Sequence, residues 1–498
     1  MRASGVLMPI FSLSSPYGIG TLGKEAKDFI DFLKKSGQTY WQILPIGPTG
    51  FGNSPYQPFS SFAGNPYFID FRLLTKEGYL KEEDYKNLDW GNDRNAIDYG
   101  KLYENKFKVL KIAAQNFKAE KSEKFEAFCK DNTYWLEDYA SFMAIKDSLK
   151  GCDLYNWDQP IRLREERALN VKKEELSEEI FIYKAVQFFF FSQWEELKEY
   201  ANENGIKIIG DIPIYVAPDG ADVWSNPKQF QLDENLQRTS VAGCPPDAFC
   251  KDGQLWGNPL YDWDYMKKDG YSWWIKRMEM SLKLFDVVRI DHFRGFDEYY
   301  SIPATDKTAK NGIWRKGPGI DLFKKIEEMI GKANIIAEDL GFLTESVEEL
   351  LENTGFPGMA VMQFGFNPNG ESKYLPHNIG KNTVVYTGTH DNNTIEGWFK
   401  ASDENTTKYC IDYLRLRKEE GYNWGFIKSA MATAADTCIF QMQDFMGLGK
   451  EARINSPGTD EGNWMWRIDG GCVNDWLANI IKETTEIYKR LPKKAIKK

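Results

Sequence analysis

The chain is expected to fold as a (β/α)8 barrel with subdomains inserted after its second and third strands. Three observations carry this reading: apolar, β-branched segments recur along the chain, amphipathic helical patterns precede several of them, and three of them end in an acidic residue. Those three are DVVRIDHFRGF (286–296), NIIAEDLGF (334–342) and NTVVYTGTHDNNT (382–394). A barrel whose strand ends converge would bring Asp291, Glu338 and Asp391 together, the arrangement of a glycosidic-bond site.

Eight segments read as strands: 6–11 (VLMPIF), 39–44 (TYWQIL), 206–214 (IKIIGDIPI), 286–293 (DVVRIDHF), 334–340, 359–364 (MAVMQF), 383–387 (TVVYT) and 438–445 (CIFQMQDF). Helical patterns stand before the second (KEAKDFIDFLKKSG), third (FFSQWEELKEYANENG), fourth (WWIKRMEMSLKLF) and fifth (DLFKKIEEMIGK). An apolar period near 3.6 that closes on Gly or Lys and passes at once into an apolar strand is the αβ repeat. Eight such units make a barrel.

Uneven spacing locates the insertions. About 160 residues separate the second and third strands and about 70 the third and fourth, more than one crossover helix needs. The first gap holds a charged, mostly helical region at about 76–185, with KLYENKFKVLKIAAQNF and EELSEEIFIYKAVQFFFFSQW as its clearest helices. The second, about 217–270, is rich in Pro, Gly and Trp and reads as a loop-rich part of the cleft and its lid. With no repeat and no low-complexity linker, 1–498 reads as one catalytic barrel.

Composition narrows the function. A net charge of −10 and pI near 5.2 argue against nucleic acid or an anionic membrane as the partner. The basic tail from Lys489 to Lys498 reads as a solvated end. Seven Cys at irregular spacing form no CxxC and no disulfide framework, which favours a reducing, cytoplasmic setting. Only three His are present, so neither HExxH nor a His-rich metal cage can be built. VLMPIF is short for a signal-peptide core and contains Pro9, and AVQFFFFSQW (185–194) is half a membrane span within a charged helical pattern. Sixteen Trp, 25 Tyr and 32 Phe in a chain of mean hydropathy −0.52 supply stacking faces for sugars, although core packing accounts for most aromatic residues in any protein.

The chemistry follows from position. Arg289 and Asp291 are two apart, so on a strand both face the barrel interior, and Arg289 is expected to keep Asp291 ionised, as a nucleophile requires. A buried structural ion pair is the alternative. Glu338 follows two Ile and an Ala, an apolar setting that raises a Glu pKa and favours a protonated general acid. His390 and Asp391 end a strand at a polar turn, where they could hold adjacent sugar hydroxyls or simply cap the loop.

Taken with GFGNSPYQPFSSFAGNP (50–66), GDIPIYVAPDGADVWSNP (210–227), AGCPPDAFCKDGQLWGNPLYDW (242–263) and RINSPGT (453–459), these segments make the chain resemble, along nearly its whole length, the amylomaltases. These are the 4-α-glucanotransferases, or disproportionating enzymes, of glycoside hydrolase family 77. The resemblance implies Asp291 as nucleophile, Glu338 as acid/base and Asp391 as the carboxylate that grips the distorted donor sugar. It also implies Arg289, His390 and Asp211 around that sugar, with Ser54 and Tyr56 on the donor side. Asp247, Phe249, Gln254 and Trp256 are implied on the acceptor side and its partial lid, and Tyr99 and Asn455 as further glucan contacts. For Tyr99 the match rests on the string DYG alone. Cys244 and Cys250 flank the lid loop and depart from the family pattern.

The implied reaction is retaining transfer between α-1,4-glucans, maltooligosaccharides through to glycogen or starch, with the two carboxyls about 5 to 5.5 Å apart. Neither metal nor organic cofactor is expected, and the charged surface permits a monomer or weak homodimer. The alternatives are a retaining α-1,4-glucan hydrolase using the same carboxylates, and, more remotely, an inactive glucan-binding protein.

Overall fold

Helix Lys24–Lys35 shows how the repeat forms locally. It buries Ala26, Phe29, Ile30, Phe32 and Leu33 on one face and stops at Ser36. Gly37 then takes φ +70°, a left-handed turn favourable to glycine, and the chain enters a strand at Tyr40.

The structure is a computed structural model that describes residues 2–50, 52–118, 122–246, 251–341, 343–459 and 461–492. Its strands are β1 (Ala3–Leu7), β2 (Tyr40–Gln42), β3 (Lys207–Ile212), β4 (Ser240–Cys244), β5 (Gln254–Pro259), β6 (Val287–Ile290), β7 (Glu298–Pro303), β8 (Ile313–Lys316), β9 (Ile335–Ala337), β10 (Gly358–Val361), β11 (Thr383–Tyr386) and β12 (Thr437–Gln441). Eight of them form one parallel sheet in the order β10-β11-β12-β1-β2-β3-β6-β9. Across the remaining seam, Ala337 N donates to Pro357 O at 3.0 Å, so the barrel nearly closes. This is the (β/α)8 architecture expected, with each barrel strand overlapping a predicted one.

All eight barrel strands are shorter than the segments predicted for them, and three show where the chain turns away. β1 ends at Leu7, and beyond Pro9, which has no N–H to donate, the chain turns into a 3-10 helix at Ile10–Ser12. The segments expected at 359–364 and 438–445 leave the sheet at Val361 and Gln441 and become helical at Met362–Phe364 and Met442–Phe445. Met362, Met442 and Phe445 remain buried there, so the apolar run continues while the backbone turns.

Between β2 and β3 lie helices Tyr99–Lys118, Glu123–Asp131, Leu136–Ser148 and Glu166–Glu175. Helix Ser177–Glu203 crosses the expected boundary at 185 and leads into β3. It carries the Phe-rich run; Phe189, Phe190 and Phe191 are buried, while Gln187 and Gln193 bond the backbone of Gly64 and Asp70. No helix among the described residues is long and apolar enough to cross a membrane. The region expected as loops at 217–270 contains β4 and β5, which join β7 and β8 in an antiparallel sheet of order β5-β4-β7-β8. Segments such as SVAGC and QLWGNP lack a β-branched run, and pairing with distant partners makes them strands.

The largest fully buried side chains include Trp41, Trp194, Trp224 and Trp274, so much of the aromatic content serves the core. The six described cysteines form no disulfide.

Candidate active site at the carboxyl end of the barrel

Register delivers the acidic residues. β3 pairs with β6 so that Asp211 lies beside Arg289, and β6 pairs with β9 so that Ile290 lies beside Ala337. The next residues on these neighbouring strands are Asp291 and Glu338, which leave the barrel rim together. Asp291 N donates to Ile212 O and Glu338 N to Ile290 O, each at 3.0 Å.

Arg289 is buried at the centre. Its Nη1 lies 2.7 Å from both carboxylate oxygens of Asp211 and 3.1 Å from Asp291 Oδ1. Its Nε donates to Met359 Sδ at 3.4 Å. Asp211 also accepts from Tyr56 OH at 2.7 Å, and the Tyr56 ring stacks on His390, centroids 4.9 Å apart at 17°. His390 Nε2 is 3.3 Å from Asp391 Oδ2, and Asn455 Nδ2 donates to Asp391 Oδ1 at 2.6 Å. One continuous network thus runs from Asp291 through Arg289, Asp211, Tyr56 and His390 to Asp391.

The electrostatics separate the carboxyls. Burial, then the neighbouring Asp291 charge, pushes Glu338 up to about 7. Burial also pushes Asp291 up to about 6, opposed by Arg289. Arg289 favours the ionised form of Asp291, as expected, but burial outweighs it, and its two shortest contacts go to Asp211. The direct contact of Arg289 with Asp291 favours leaving a shared proton on Glu338. Asp391 goes the other way: burial disfavours its charge, but His390 and the Asn455 hydrogen bond outweigh burial and hold it at about 2. His390 is raised, burial opposing and the Asp391 charge prevailing. The Asp291 and Asp391 side chains retain 28% and 43% exposure, so both open onto the cleft.

Glu338 is held by main-chain donors. His292 N donates to Oε2 at 2.7 Å and Leu340 N to Oε1 at 2.8 Å. His292 has φ +53°, a left-handed conformation uncommon outside glycine, at the turn just beyond Asp291.

The outer residues fall into place unevenly. Trp256, on β5, donates to Gln254 Oε1 at 3.0 Å and sets its ring edge-on to His292, centroids 4.9 Å apart, so this strand reaches the turn after Asp291. Ser54 Oγ accepts from Tyr56 N at 3.3 Å and supports the turn that presents Tyr56. Tyr99 OH donates to Trp464 O at 2.9 Å and reaches the network through that residue, whose ring lies 5.9 Å from His390 and 5.8 Å from Tyr56. Asp247 and Phe249, with Cys250, lie outside the described residues.

Several residues escaped the sequence reading. Arg453 Nη2 donates to Asp391 O at 2.6 Å; it stands two residues before Asn455 in RINSPGT, so that motif already held the signal. His292, Met359 and Trp464 carried none. Among the described residues, no group of three or more His, Cys, Asp or Glu side chains is placed to hold a metal ion.

Carboxylates gathered around a buried cation at the carboxyl end of a (β/α)8 barrel define the carbohydrate-active barrel enzymes as the class. Comparison with known proteins narrows it. Residues 8–473 match the family described as glycoside hydrolase family 77, 4-alpha-glucanotransferase. A 4-alpha-glucanotransferase of Clostridium butyricum is 50% identical over 485 residues, covering 97% of this chain and 100% of that protein. One of Thermus thermophilus is 48% identical over 501 residues, covering 98% and 99%. The solved amylomaltase of Streptococcus agalactiae in complex with acarbose superposes with a TM-score of 0.97 at 44% identity, covering 99% of this chain and 100% of that one. The chain belongs to the 4-α-glucanotransferases of glycoside hydrolase family 77, and its reaction is glucan transfer, not the hydrolysis held as the alternative.

Proposed function

We propose that this 4-α-glucanotransferase works by double displacement, with Asp291 as nucleophile, Glu338 as acid/base and Asp391 as the group that grips the donor sugar in the transition state. The carrying observation is that Asp291 and Glu338 stand side by side on adjacent strand ends, both raised by burial, with Arg289 in direct contact with Asp291. The Glu338 proton passes to the departing glycosidic oxygen as Asp291 attacks the anomeric carbon, releasing the first glucan and leaving a glycosyl ester. Glu338, now a carboxylate, takes the proton of an acceptor 4-hydroxyl. That oxygen displaces Asp291, and two inversions give net retention.

Arg289 stabilises the Asp291 carboxylate that leaves in the second step, while His390, Tyr56 and Asp211 form the polar wall beside it. An oxocarbenium-like transition state carries positive charge, and Asp391, ionised well below neutrality, meets it with a fixed negative one. Gln254 and Trp256 line the acceptor side; water at about 55 M loses to a sugar hydroxyl only where the acceptor is held and water is displaced. α-1,4-Glucans are the substrate class, consistent with the acarbose complex of the Streptococcus agalactiae amylomaltase. Maltodextrin- or glycogen-derived chains in the cytoplasm suit the cysteines, which form no disulfide among the described residues.

The test is a product profile on maltotriose. Longer maltooligosaccharides with glucose accumulating and total reducing ends nearly constant are expected. Reducing ends that rise without longer products would overturn the transfer reading.

A further inference from the structure

We propose that Asp444 and Thr387 form a clamp that positions the loop bearing His390 and Asp391, so that the grip on the donor sugar depends on a carboxyl outside the cleft. The proposal rests on the reading of Asp391 given above. β11 ends at Tyr386, and the next helix, Ile395–Ala401, begins nine residues on. Between them the chain must leave the sheet, present Asp391 to the cleft and return.

Asp444, in the short helix after β12, bridges both ends of that excursion. Its Oδ2 accepts from Thr387 Oγ1 at 2.6 Å and its Oδ1 from Ile395 N at 2.8 Å. Its own carbonyl accepts from Asn423 Nδ2 at 2.8 Å, which ties the clamp to helix Tyr422–Ala432. Inside the loop, Asn392 Oδ1 accepts from Thr389 N and Thr389 Oγ1, both at 2.9 Å, and Gln363 Nε2 donates to Asn393 O at 2.8 Å. A Cβ on Gly388 would come within 2.8 Å of the Gln363 and Gln441 amide nitrogens, so those side chains would have to shift. The excursion is therefore held by side-chain hydrogen bonds at both ends and within.

Asp444 is 1% exposed and, among the described residues, its side chain forms no ion pair. Such a carboxyl is costly to bury, and burial pushes it up to about 7. A fold needing only packing at this point would be served by an apolar residue. Two donors converging from the two ends of one loop are better served by a single two-oxygen acceptor.

The experiment measures transfer from an α-maltosyl fluoride donor, whose leaving group departs without needing a strong acid, to glucose. Thr387→Val deletes one arm of the clamp at constant volume, and Asp444→Ala deletes both. Each should lower kcat by about tenfold or more with KM for glucose little changed. Asp444→Asn keeps both bonds if the Thr387 hydroxyl turns to accept, and should restore most of the rate. In an Asp391→Asn background, Thr387→Val should change the rate by less than about twofold. An equal loss in both backgrounds, or a loss matched by the unfolded fraction in circular dichroism, overturns the clamp. Normal turnover of Asp391→Asn removes the reading beneath it, whereas an impaired Asp391→Asn with intact Thr387→Val and Asp444→Ala refutes the clamp alone.

Discussion

The main-chain N–H of His292 donates to Glu338 Oε2 at 2.7 Å, so the residue after the proposed nucleophile holds the proposed acid/base. Any shift of the turn beyond Asp291 therefore moves both partners. His292 itself has a left-handed φ, +53°, so the chain turns sharply just after that N–H.

Activity should follow a bell-shaped pH profile. The productive form has Asp291 ionised and Glu338 protonated, so kcat/KM should fall below about 6 as Asp291 gains a proton and above about 7 as Glu338 loses one. The two limbs belong to the interacting pair. With a glycosyl fluoride donor, Glu338→Gln should lose the alkaline limb. A wild-type profile flat from about pH 5 to 9 would contradict the assignment.

Arg289→Met leaves Asp211 and Asp291 facing each other without their shared cation. Removing one partner of a buried pair costs on the order of 3–5 kcal/mol. Asp291 should also hold its proton to higher pH, moving the acid limb upward. Denaturant unfolding and the pH profile check this, and unchanged stability would count against a structural role for the ion pair.

Asp291→Ala and Asp391→Asn should fold normally. The first should lower turnover by about 10⁴-fold or more, and the second by about a hundredfold or more if Asp391 is the proposed fixed charge matched to the transition state. Asn455→Ala frees one Asp391 oxygen and should produce a smaller loss in the same parameter, kcat. Steady-state kinetics with circular dichroism as the folding control would decide between these outcomes and an inert Asp391.

Trp256→Ala removes the ring beside His292, on the proposed acceptor side. The hydrolysis-to-transfer ratio should rise, on the order of tenfold, as water competes for the glycosyl ester. Glucose and total reducing ends measured together report it. An unchanged ratio would place water exclusion elsewhere in the cleft.

The order of the strands and the three acidic strand ends were legible in the sequence because burial on both faces of a parallel strand writes a continuous apolar run, and a rim carboxylate interrupts it. DVVRIDHF and IIAED each set an acidic residue at the end of an apolar run, and the pairing of β6 with β9 is what brings Asp291 and Glu338 together. Strand lengths were less legible, since Met442 and Phe445 stay buried after the chain has turned helical. Only tertiary structure decided that SVAGC and QLWGNP pair into a sheet with β7 and β8. The same holds for Arg289 binding Asp211 more closely than Asp291, and for Asp444 bridging Thr387 and Ile395. Those contacts join residues far apart in the chain, and a side chain's choice among several acceptors depends on distances that local pattern does not encode.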